Sequence, residues 1–138
     1  MQLRTLVMMF YGFLGLVSLA NGLWMLADPA TWFTHIPAAV TDTGPLNRHF
    51  VHDVGIAYFV CGVAALWCAR VGAAGFVAHL GLTLFYVGHA LSHVVEISLG
   101  LLPHTHWWID LPLVFVPALA LALLTLPRVR QIIWSQTP

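Results

Sequence analysis

The stretch Ala73–Leu99, AAGFVAHLGLTLFYVGHALSHVVEISL, carries a single formal charge, Glu96, and no proline. As a helix it would run about 40 Å, more than the roughly 30 Å hydrocarbon core of a bilayer. A run this apolar satisfies its backbone in lipid only as a helix, so it predicts a transmembrane span whose outer end tilts or projects beyond the hydrocarbon.

Working outward, three more segments share this character: Thr5–Ala27, Phe50–Ala69 and Trp107–Leu126. The tight ARVGAAG turn joins the second and third spans, whereas residues 28–48 form a longer outer connection. Asp28-Pro29 and Gly44-Pro45 mark turns in it, and Trp32, Phe33 and Ile36 suit a membrane interface. The prediction is an all-α, integral membrane four-helix bundle, a single domain over residues 1–138.

Composition points the same way. Hydrophobic residues make up 60% and charged residues 7%, mean hydropathy is +0.88, and there is no lysine. So few charges cannot coat a water-soluble surface of this size. The formal net charge of zero provides no basic stripe for nucleic acid. The uncharged run Thr5–Ala27 exceeds the roughly 7–15 residues of a signal-peptide core, so it reads as a retained first span. Cys61 and Cys68 would lie about 10.5 Å apart along one helix, beyond disulfide reach, and read as small packing residues.

Arg4, Arg70, Arg128 and Arg130 all fall on one side of a four-span chain, with only Arg48 opposite. The positive-inside rule makes that side cytoplasmic, with both termini inside. The expected location is a bacterial-type inner (plasma) membrane, crossed several times. Glycines at 12, 15, 22, 55 and 62 allow close helix approach, and Pro117 should kink the last span.

Ionisable side chains in such a chain are costly and therefore point to a site. Three clusters gather at the outer ends of the spans: His49, His52 and Asp53; His89, His93 and Glu96; His104, His106 and Asp110. On the third span, positions 89, 93 and 96 fall within roughly 60° of one another, so they share a face. Short connections make spans two to four neighbours, and the clusters a shared pocket capped by Trp32, Trp107 and Trp108.

Imidazole and carboxylate without thiolate suit a transition metal such as iron, zinc or oxidised copper. His52, Asp53, His89, His93 and Glu96 are the leading ligand candidates. His49, His104, His106 and Asp110 follow, as further ligands or as groups that orient them. A redox metal would make the chain an oxidoreductase; otherwise it would carry metal or serve as an accessory subunit. Two other chemistries stay open. The histidines could ligate a b-type haem, or they could act with Asp53 and Glu96 as a cofactor-free acid–base site or proton relay on a lipophilic substrate. Asp110 could also simply cap a helix, and His35 and His79 stand alone. The expected partners are the lipid bilayer and either further copies of the chain or a larger membrane complex.

Overall fold

The computed structural model describes residues 2–134 and is all-helical. Its helices are α1 (Gln2–Ala27), α2 (Pro29–His35), α3 (Arg48–Val71), α4 (Phe76–Ser98), α5 (His106–Ile109), α6 (Val116–Leu124) and α7 (Pro127–Trp134). Among these, α1, α3 and α4 are long and apolar enough to cross a membrane.

The fourth apolar segment is shorter and broken. Between Asp110 and α6 the backbone makes a π-helical turn, Leu111–Phe115. Pro112 and Pro117 explain it, because neither has an N–H to donate and each ring crowds the preceding turn. The Asp110 carbonyl accepts from Val114 N–H at 2.8 Å and from Phe115 N–H at 3.2 Å, and Val116 N–H reaches back to the Leu111 carbonyl. The continuous apolar helix is therefore Leu111–Leu124 rather than residues 107–126.

α1 and α3 pack closely because glycine removes the side chains between them. A Cβ on Gly22 would lie 2.7 Å from the Gly55 carbonyl oxygen and from the Phe59 nitrogen, and one on Gly62 would lie 2.8 Å from the Leu19 nitrogen. In lipid, such close backbone approach supplies the packing that the hydrophobic effect cannot. α4 then packs on α3 and on α6. Hydrogen bonds bind α1 to α4, among them Tyr11 Oη with His79 Nδ1 at 2.7 Å and Ser18 Oγ with Tyr86 Oη at 2.6 Å. Ser18 spends its own hydrogen on the Leu14 carbonyl, so Tyr86 is the donor to Ser18.

Cys61 and Cys68 are free and buried in this core. Outward faces stay apolar, with Leu6 61%, Phe13 66%, Val77 80% and Leu84 78% exposed.

The connection after α1 is more structured than its turn signals suggest. Asp28 caps α2 by accepting from Thr31 N–H at 3.1 Å, and Pro29 occupies the first turn. Trp32 is buried against Met25 and Val51, and its Nε1–H donates to Asn21 Oδ1 at 2.8 Å. A 3₁₀ turn, Val40–Thr43, follows, entered through Ala39 at φ 46. Asn47 then caps α3 by accepting from Phe50 N–H at 3.1 Å.

Candidate metal centre

The chain must reverse after α4 for the third cluster to meet the second. Gly100, at φ 71, makes that turn. Leu101 N–H bonds to the Glu96 carbonyl at 2.8 Å and Gly100 N–H to the Ile97 carbonyl at 3.1 Å. This is a Schellman pair, which favours glycine because the left-handed backbone penalises a side chain. Leu102 is buried just beyond it, and His106 N–H bonds to the Pro103 carbonyl at 3.0 Å. The single turn of α5 then sets His106 and Asp110 four residues apart on one face.

There the two clusters meet. His93 Nδ1 lies 2.7 Å from Asp110 Oδ2, and His106 Nδ1 lies 3.0 Å from the same oxygen. His106 and Asp110 are both buried, and His93 is half-buried at the end of α4. The ligand atoms of His93, His106 and Asp110 all lie within 4.8 Å of one another. A tetrahedral ion with bonds of about 2.1 Å would hold its ligands roughly 3.5 Å apart, so both imidazole nitrogens would have to move outward from the 2.7 and 3.0 Å at which they now meet the carboxylate oxygen.

A fourth group, Asp42, enters from the 3₁₀ turn, with Oδ2 at 3.3 Å from His106 Nε2. A neutral imidazole has one N–H, yet His106 turns both ring nitrogens toward carboxylate oxygens. One of these contacts sets lone pair against lone pair unless the ring gains a second proton or a cation takes its place. Among the described residues, the ion-pair partners of Asp42 and Asp110 are all histidines. The site therefore calls for positive charge that its own arginines do not bring.

His89 borders this group. Its ring is 4.6 Å from that of His93, edge to face, and stacks on Phe85. Its Nε2 lies 3.3 Å from Tyr58 Oη. The result is a series of neighbouring polar groups, Tyr58, His89, His93, Asp110, His106 and Asp42, reaching from α3 and the C-terminal half of α4 to the 3₁₀ turn.

The remaining candidates stand elsewhere. His49 and Asp53 pair with each other at 3.5 Å, with side chains 88% and 58% exposed. Val51 and Gly55 of α3 face the interior, and positions 49 and 53 are turned roughly 120–160° from them. His52 is half-buried and Glu96 is half-buried, both outside the three-residue group. Glu96 precedes buried Ile97 and is rotated about 100° from it, at the edge of the buried stripe. His104 is exposed in the turn before α5. Trp107 and Trp108 are exposed beside the group, and Trp32 belongs to the separate packing around Met25 and Val51.

Neither Asp42 nor Tyr58 is among the sequence candidates for the site. The only local signal for Asp42 was its rarity, one of five carboxylate side chains in the chain. No known protein family, curated protein or solved structure matches this chain.

Proposed function

We propose that this chain is an integral membrane protein of four spans, both termini cytoplasmic, that binds a transition-metal ion at a histidine–carboxylate site near its outer face. One observation carries the reading: the convergence of His93, His106 and Asp110 within 4.8 Å, at the end of a helix long and apolar enough to cross a membrane. Asp110 and one or both imidazoles bind the ion. Asp42 neutralises it from the open side, and His89 stands ready as a further ligand. A nitrogen and oxygen donor set with no thiolate suits iron, zinc or copper(II). With a redox-active ion the site serves an oxidoreductase, or an accessory subunit of a larger membrane complex. The exposed His49–Asp53 pair stands apart from this group, and His52 is half-buried outside it.

The contacts of His106 favour a second reading. A proton satisfies the ring between two carboxylates as well as a metal does, and the hydrogen-bonded series His93, Asp110, His106 and Asp42 would serve as a short acid–base relay. Elemental analysis of protein purified in detergent without chelator, joined to an absorption spectrum, separates the possibilities. Near-stoichiometric iron, zinc or copper supports the metal site. No metal, even after incubation with each ion, leaves the relay. A Soret band would replace both with haem.

A further inference from the structure

At the opposite end of the molecule the charge is one-sided. The chain has five basic side chains, all arginine, and Arg4, Arg70, Arg128 and Arg130 sit at this end. They gather around the Gly72–Gly75 turn. Arg70 closes α3 just before it, and α7, which carries Arg128 and Arg130, packs on the turn and on α1. The Arg4 guanidinium lies so close to Gly72 that a Cβ there would sit 3.0 Å from its Nη2. Gly72 has φ 54, so glycine serves both the backbone and the approach of this side chain. Arg130 lies over the ring of Phe76, with Cζ 4.3 Å from its centroid.

None of the carboxylate side chains Asp28, Asp42, Asp53, Glu96 and Asp110 answers this charge. Asp53, in the second turn of α3, is about 25 Å along the axis from Arg70, which is some three Debye lengths at physiological salt. Among the described residues, every ion pair is between histidine and aspartate. The apolar faces of the long helices begin directly beside the arginines, with Leu6 61%, Trp67 54% and Val77 80% exposed.

We infer that this end binds the headgroup phosphate of an anionic glycerophospholipid, whose acyl chains lie along the apolar faces of α1, α3 and α4. Guanidinium forks match phosphate oxygens in pairs, and juxtamembrane basic clusters are attracted to anionic lipid. Free phosphate would engage only the forks; the apolar surface continuous with them fits a lipid. The inference rests on the membrane reading of the long helices and is independent of the metal.

The test uses the full chain in a zwitterionic detergent, with thermal unfolding followed by circular dichroism. Phosphatidylglycerol, phosphatidylcholine of the same chains, or inorganic phosphate is titrated in. Phosphatidylglycerol should raise the unfolding midpoint, less so as salt increases, while the other two leave it unchanged. In R70Q/R128Q, whose substituted side chains are exposed, binding should weaken roughly fivefold for each arginine removed, with the lipid-free midpoint unaltered. An equal response to both lipids, reproduction by inorganic phosphate, or a full response in R70Q/R128Q would overturn the inference. If that variant does not fold, the headgroup and salt comparison on the native chain decides. Flotation with phosphatidylcholine vesicles reads the membrane assignment separately: a chain that floats but ignores headgroup charge loses only the lipid site.

Discussion

His106 and Asp110 stand four residues apart on one helical turn, with Nδ1 and Oδ2 at 3.0 Å and both side chains 1% exposed. His93 brings a second imidazole to the same carboxylate oxygen, at 2.7 Å. A buried carboxylate that accepts from two rings fixes the orientation of both. Any ion bound there meets a site whose parts are already held.

Asp110→Asn preserves shape but removes the charge that both imidazoles face. Metal affinity should fall by more than the roughly tenfold seen when a carboxylate that merely orients a histidine ligand is lost, since Asp110 is itself a ligand in this reading. Asp53→Asn, on the outward side of α3, should leave affinity unchanged. Titration of the apo-protein with zinc or cobalt measures both, and equal losses would count against the pocket described above.

Gly22 faces the backbone of α3, where a Cβ would lie 2.7 Å from two main-chain atoms. Gly22→Ala must push the helices apart and should cost about 1–3 kcal/mol, as overpacking does elsewhere. A Cβ on Gly12 would meet nothing within 4 Å. Gly12→Ala should therefore be neutral, or stabilising by up to about 1 kcal/mol through helix propensity. Unfolding in mixed micelles by a denaturing detergent compares the two.

The Ser18–Tyr86 hydrogen bond links α1 to α4 inside the apolar region. Interhelical hydrogen bonds in membranes average about 0.6 kcal/mol, since the separated helices find other partners. A double-mutant cycle of Ser18→Ala and Tyr86→Phe should give a coupling energy near that value. A coupling of zero would show that the two hydroxyls meet without stabilising the pair.

Hydrogen bonds from the Thr31 hydroxyl and backbone N–H hold the Asp28 carboxyl below the usual aspartate range. The folded state thus favours the ionised cap. Its contribution is full above the unfolded aspartate value of about 3.9 and is lost as pH falls through the lower folded value. Asp28→Asn should lower the unfolding midpoint at neutral pH, and the two midpoints should converge in acid. A difference that widened on acidification would contradict the sign.

Much of the helical frame was readable from hydropathy alone. Its limits came from contacts that no local pattern encodes. The periodicity of α4 groups positions 89, 93 and 96 on one arc, but the rotation of the helix decides which edge of that arc is buried. Packing centres it on Leu82, Tyr86 and Ile97, which carries His93 inward and leaves Glu96 at the rim. On α3, Gly55 must meet Gly22, and that single requirement turns His49 and Asp53 outward. Asp42 reaches His106 only through the left-handed Ala39 and the turn behind it, across 64 positions of sequence. The third cluster, which reads in sequence as a loop, becomes central because Gly100 folds it back over α4.

The π-helical turn at Leu111–Phe115 has a consequence of its own. An extra residue in one turn offsets everything before it by about 100° relative to everything after it. It works as a phase shifter between the part of the segment that carries Asp110 and the part that packs Ala118 and Leu121 into the core. The contacts of Asp110 and the packing of α6 are geared separately. Deleting one residue from the turn would keep α6 seated while swinging the carboxylate away from His93, leaving a folded chain with its centre dismantled.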